Sequence, residues 1–358
     1  MRKLDDIIRP EVLALRAYHV ADADGMVKLD AMENPYGLPR EQVSELAAAL
    51  GDVALNRYPD AQASELKRAL RERFEISEDY DIVIGNGSDE LILLFALLVN
   101  RPGATMLGVE PSFVMYKMIS TYVGMRYASV DLDADFSLPR ERLIEAIERE
   151  QPALMFFAYP NNPTGNCYGD ETLDAVLDAA PGIVVVDEAY FPFSQRSFAD
   201  RLARHPNLVI MRTLSKLGLA GLRLGFAFGD RQLLGELEKL RLPYNVNSLS
   251  QRAGLYALEH YAPLAAQNAQ IRKDREALQQ ALAALPGVAC YASAANFILL
   301  RVANATSVHK QLLEAGILVK NLNGGHALLH NCLRITVGTP EENTALLAAL
   351  TNAIETST

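Results

Sequence analysis

Lys216 sits in TLSKLGLAGLRLGF (213–226), just after a serine and among small and apolar residues. A lysine in such a place either snorkels its ammonium to water or keeps a reactive amine, because partial desolvation disfavours the charged form. Arg223 follows by seven residues, and a glycine-rich bend between them turns the arginine back toward the lysine and any anion held by both. In GIVVVDEAY (182–190) Asp187 comes directly after apolar residues, where an acid is costly unless a cation or hydrogen-bond donors meet it. Tyr190 lies close enough to share its site, and Glu188 reads as the solvated member of the acidic pair. In GNGSDE (85–90) a strand hands over to a helix. Gly85 and Gly87 allow close backbone approach there, and Ser88 and Asp89 open a helix whose free N–H groups suit an anion. The third glycine of a dinucleotide fingerprint and the Gly-Lys-Ser/Thr of a P-loop are both missing. Asn162 stands in the turn YPNNPTGN (159–166). Taken singly, each feature also has a plain reading: a snorkelling lysine, a salt-bridged aspartate, an N-cap and a turn.

These residues need strands that end together. From about residue 80, short β-branched runs alternate with helical patterns, the signature of parallel strands joined by crossover helices. Strands are expected at 81–85, 104–110, 153–160, 182–189, 207–213 and 222–229, with helices at 88–99 and 138–150 among them. The carboxyl ends of such strands are where open α/β sheets bind ligands. After 241–251 the texture changes to a long helical stretch, about 250–285, followed by strands at 296–302 and 333–338. The fold class is therefore α/β, a mostly parallel central sheet flanked by helices, plus a smaller α+β domain. The expected division is an N-terminal arm and part of the small domain over 1–40, a large domain over 41–245 and a small C-terminal domain over 246–358.

The chain has 358 residues and a net charge of -10, without a basic block for a phosphate-backbone face, so nucleic acid is not an expected partner. Its three cysteines form neither a disulfide framework nor a paired zinc motif. The N-terminus carries acids where a signal peptide needs apolar residues, and no apolar run approaches the roughly 20 residues of a membrane span. A cytoplasmic protein is expected. In HALLHNC (326–332), His326, His330 and Cys332 crowd together, but no acid lies between the histidines in the zincin pattern and a fourth ligand is missing. A surface loop, with no metal, is the reading adopted.

The order of the four constellations, at 87, 162, 187 and 216, is specific where each part is not. It resembles the fold type I aminotransferases that use pyridoxal 5'-phosphate (PLP), and within them the histidinol-phosphate aminotransferase family. MENPYG (32–37), NRYPD (56–60), NNPTG, DEAY, TLSK, GLAGLRLG and LRITVG are all similar to that family's motifs, in its order, over essentially the whole chain.

The resemblance implies a fold type I PLP-transferase in which Lys216 binds the cofactor aldehyde covalently and then moves the substrate proton as general acid and base. Asp187 would keep the pyridine nitrogen protonated, and Tyr190 and Asn162 would hydrogen-bond the phenolic oxygen. Gly87, Ser88 and Asp89, with Thr213, Ser215 and Arg223, would hold the phosphate, and Phe113 would stack on the ring. Tyr58 would reach the phosphate of the other subunit, making a homodimer. Tyr18, Asn34, Asn162, Lys320 and Arg334 would face the substrate. The segment from 217 to 222 is one residue shorter than the commonest family form, and Lys320 stands where many members carry arginine, giving a point charge in place of a planar fork. The implied activity is amino transfer between histidinol phosphate and 2-oxoglutarate, giving imidazole-acetol phosphate and glutamate, in histidine biosynthesis. The alternatives are an aromatic amino-acid aminotransferase, a phosphothreonine-type decarboxylase, or a PLP-binding sensor protein. For a sensor, nothing before residue 30 is long or basic enough to be a DNA-binding module.

Overall fold

The computed structural model describes residues 6–17 and 21–357. Its strands are β1 (Val27–Leu29), β2 (Tyr80–Asn86), β3 (Thr105–Glu110), β4 (Arg126–Asp131), β5 (Leu154–Ala158), β6 (Ile183–Asp187), β7 (Leu208–Thr213), β8 (Leu224–Asp230), β9 (Ala289–Cys290), β10 (Phe297–Arg301), β11 (Ile317–Asn321) and β12 (Cys332–Thr336). Seven of them form one sheet in the order β2-β8-β7-β6-β5-β3-β4, and five form another in the order β1-β11-β12-β10-β9.

The large sheet is parallel from β4 to β7. Strand β8 then runs antiparallel between β7 and β2. The ten residues from Leu214 to Arg223 are too few for a crossover helix, so the chain returns beside the strand it left. That return brings Lys216 and Arg223 together. Strands β5 and β7 are buried along their whole length, as the apolar runs LMFFA and LVIM require of a sheet covered on both faces, and Arg212 and Thr213 at the end of β7 are buried with them.

The helix Ser88–Val99 leaves β2 at Gly87 and buries Leu91, Ile92, Leu94, Phe95 and Ala96 against the sheet. The long helical stretch proves to be two helices, Ser248–Glu259 and Ala262–Ala283, the second with a proline in its first turn, where no N–H is needed. The first belongs with the large sheet. Ala257 and Leu258 join that sheet's core, as does Leu264, whereas Ile271, Leu278 and Leu282 pack into the core of the small sheet. The change of core thus falls between Leu264 and Ile271, later than residue 246. At the other end β1 pairs in parallel with β11, so the N-terminal segment is tied to the small sheet.

Candidate active site

Lys216 lies in a single 3-10 turn, Ser215–Leu217, immediately beyond β7. The side chain is half-buried, its Nζ donates to the Ala31 carbonyl at 3.1 Å, and it lies 5.9 Å from the centre of the Tyr190 ring. Burial, with the nearby Arg334 and Arg223 guanidiniums, pushes its pKa down to about 8. At pH 7 about a tenth of such an amine carries a free electron pair, against well under a thousandth of an ordinary lysine.

Asp187 is the last residue of β6 and is 4% exposed. Its carboxylate accepts from the Tyr116 hydroxyl at 2.8 Å and from the Ala189 N–H at 3.1 Å. Burial nevertheless pushes its pKa up to about 7. No cation is paired with this carboxylate among the described residues. Tyr190 is buried, accepts from the Asn162 amide at 3.2 Å, and has its pKa raised chiefly by burial, so it keeps its proton. Asn162 in turn accepts from Arg334 at 2.5 Å, and Arg334 also donates to the Asp30 carbonyl at 2.8 Å.

The third group is cationic. Arg223 takes the left-handed conformation, φ 53°, and aims its guanidinium at the Ser215 hydroxyl (3.4 Å) and the Asp89 carboxylate (3.3 Å). Thr213 braces the turn, donating to the Leu224 carbonyl and accepting from the Ser215 N–H. Gly87 has a φ of 87°, and a Cβ there would come within 2.5 Å of the arginine. Only glycine therefore lets the guanidinium lie beside the N-terminus of the helix Ser88–Val99, whose first N–H groups no side chain caps.

The three groups surround one cavity. Asp187, Tyr190 and Asn162 line it together with Lys216, Ser215, Thr213 and Arg223, and with Ser88, Asp89 and Phe113. A neighbouring cavity shares Phe113 and Asn162 and adds Lys117, Lys320, His326 and Arg334, so Lys320 and Arg334 face the approach to the first. Lys320 and Arg334 are register partners on β11 and β12.

Other expected residues lie elsewhere. Asn34 is not in the cavity wall: its amide donates to the Leu217 carbonyl and to Gln267, bracing the lysine turn from behind. Tyr58 is 80% exposed and stacks on Tyr244, at 4.4 Å between ring centres. Tyr18 falls outside the described residues. Glu188 is no solvated acid: it is completely buried and bound by Arg212. His326 and His330 flank one 3-10 turn, but Cys332 already begins β12 and is buried. Sequence reasoning missed Tyr116, because an aromatic in a helix beside Phe113 reads as core.

A buried acid without a cation, an amine of lowered basicity and a cationic cradle at a helix start define a site for a phosphorylated cofactor with a basic ring nitrogen, the kind of site found in aminotransferases. Residues 24–350 match the family model of class I and II aminotransferases. The chain is 53% identical over 347 residues to the histidinol-phosphate aminotransferase of Chromobacterium violaceum, covering 97% of this chain and 98% of that one. It is 48% identical to histidinol-phosphate aminotransferase 2 of Cupriavidus pinatubonensis, with 98% of each covered. Among solved structures, the histidinol-phosphate aminotransferase of Sinorhizobium meliloti in complex with PLP superposes with a TM-score of 0.87, at 25% identity and 98% coverage of both chains. The L-threonine-O-3-phosphate decarboxylase of Porphyromonas gingivalis, at 22% identity and a TM-score of 0.79, shares the fold. The chain belongs to the class I and II aminotransferases, PLP-dependent enzymes, and within them to the histidinol-phosphate aminotransferase family. No helix among the described residues is long and apolar enough to cross a membrane.

Proposed function

We propose that the protein transfers the amino group of histidinol phosphate to 2-oxoglutarate, as a cytoplasmic step of histidine biosynthesis, with Lys216 as the residue that holds PLP and carries the proton. The observation that carries this reading is the single cavity in which a half-buried amine of lowered pKa, a buried unpaired carboxylate and a guanidinium cradle meet. The residues fit PLP. The cradle of Gly87, Ser88, Ser215 and Arg223 matches a phosphate dianion, since a guanidinium and free helix N–H groups both favour negative charge. Asp89 contributes its backbone there, because its carboxylate is already turned to Arg223. Asp187 matches a protonated ring nitrogen, which supplies the cation it lacks and so favours the ionised carboxylate. PLP, when bound, supplies an electron-accepting ring that stabilises the negative charge left on a substrate carbon when its proton departs.

The chain's own groups do the rest. Lys216 Nζ takes the proton from the substrate carbon and returns it to the cofactor side, and a pKa of about 8 suits both directions near neutral pH. The Tyr190 hydroxyl and the Asn162 amide would hold the ring's oxygen, and Phe113 would cover its face. Arg334, fixed by Asn162 and the Asp30 carbonyl, presents a cation to the substrate's anionic group, with Lys320 beside it. The reaction is two half-transfers on one amine carrier, and 2-oxoglutarate uses the same arginine through its carboxylate. The high identity to histidinol-phosphate aminotransferases supports the phosphorylated substrate.

Exposed Tyr58 and Tyr244 lie among Leu55, Leu242 and Leu249, all exposed, which fits burial against a second copy of the chain. In such a pair Tyr58 would reach the partner's phosphate cradle, as the family resemblance implies. Substrate choice is tested by comparing imidazole-acetol phosphate with phenylpyruvate as acceptors, each with glutamate. The phosphorylated acceptor is expected to turn over faster, and a preference for phenylpyruvate would overturn the assignment.

A further inference from the structure

We propose that Tyr116 is a positioning residue of this enzyme, one that orients the Asp187 carboxylate toward the cofactor's ring nitrogen and keeps it ionised without itself touching cofactor or substrate. The inference rests on the reading of Asp187 given above.

The geometry is specific. Tyr116 lies in the helix Met115–Val123, is 1% exposed, and donates its hydroxyl to Asp187 Oδ2 at 2.8 Å. Its ring stacks flat on Phe156 of β5, at 4.8 Å and 9° between planes, and meets Phe113 edge-on at 5.5 Å. It does not line the cavity itself. Phe156 fixes the ring and the ring fixes the hydroxyl, so the carboxylate oxygen has one defined place. Both of the carboxylate's hydrogen bonds come from donors that cannot swing away, the Ala189 backbone being the other. Such preorganised support from behind a functional group holds its geometry.

The electrostatics give the bond a task. Burial works against the charged form of Asp187, and the charges of Asp89 and neighbouring Glu188 work in the same direction, while the Tyr116 hydroxyl and the Ala189 N–H oppose them. Tyr116 cannot exchange roles with the acid, because burial and the Asp187 charge hold its own pKa far above neutrality. It is a permanent donor. Removing the hydroxyl leaves Asp187 with one protein hydrogen bond, easier to protonate and free to turn, and a protonated Asp187 offers no anion to the ring nitrogen.

The test is a double-mutant cycle on the full-length protein, read by PLP affinity of the cofactor-free form, followed by visible absorbance on adding PLP, and by kcat in the loaded form. Tyr116→Phe keeps the stacked ring and deletes only the hydroxyl, whereas Asp187→Ala deletes its acceptor. Tyr116→Phe alone is expected to weaken PLP binding roughly tenfold, the scale of one hydrogen bond to a charged group. In the Asp187→Ala background the same change is expected to do less than about twofold, because its acceptor is gone. Wild-type PLP affinity and kcat in Tyr116→Phe, or an equal defect in both backgrounds, would overturn the inference and leave the reading of the site intact. An Asp187→Ala protein that binds PLP as tightly as wild type would overturn both.

Discussion

Asp187 and Glu188 are consecutive, both are buried carboxylates, and the molecule treats them in opposite ways. Glu188 is saturated: Arg212 binds it twice, at 2.8 and 2.9 Å, the Ser197 hydroxyl and the Phe198 N–H donate to it, and Phe74, Phe191 and Phe228 surround the guanidinium. Asp187 receives two hydrogen bonds, no cation, and an open cavity. A buried charge answered wholly by the protein serves the architecture, here by tying β6 to β7. One answered in part is a place kept for a ligand.

The contrast breaks most visibly if the cavity side is disarmed. Lys216→Ala is expected to lower turnover by about 10²–10⁴-fold or more, the scale of a lost general acid-base group, with glutamate formation from 2-oxoglutarate as the readout. On the architectural side, Arg212→Ala leaves Glu188 buried without its cation. Unfolding in urea should show a loss of about 3–5 kcal/mol; a loss under 1 kcal/mol would mean that the pair does not hold the strands.

Asp187 should behave the other way. Its pKa in the folded chain, about 7, lies above the ordinary 3.8, so between those values the folded chain keeps a proton that the unfolded one has lost. Stability of the cofactor-free protein therefore falls as pH rises through that window, and the cost is complete above it. Asp187→Ala is expected to be at least as stable as wild type at about pH 8 and to show no such gain at about pH 4, while losing PLP affinity. A variant less stable at both would place Asp187 with Glu188 as an architectural residue. The smallest effect belongs to Tyr58, which does not line the cavity of its own protomer: Tyr58→Phe is expected to weaken PLP binding about fivefold, one ordinary hydrogen bond, without changing unfolding.

What the sequence made legible follows from burial. Strands β5, β6 and β7 are built on the apolar runs LMFFA, IVVV and LVIM, and their ends carry Asn162, Asp187 and Lys216 within a few residues, so the chemistry could be read with them. Strand β4 escaped because it is an edge with one buried residue, Val130, and β1 is a three-residue strand whose partner, β11, lies far along the chain. The turn of β8 against its neighbours was hidden in loop length, since an apolar run looks the same in either direction. Glu188 was misread because nothing local announces that Arg212, a distant arginine in a strand, will meet it. Tyr116 and Asn34 act through contacts across 71 and 183 residues, which no local pattern encodes.

The covalent position of the cofactor tests the reading most directly. Protein loaded with PLP, treated with borohydride and digested, should carry the pyridoxyl group on the peptide containing Lys216. A label on any other lysine, or none at all, would contradict it.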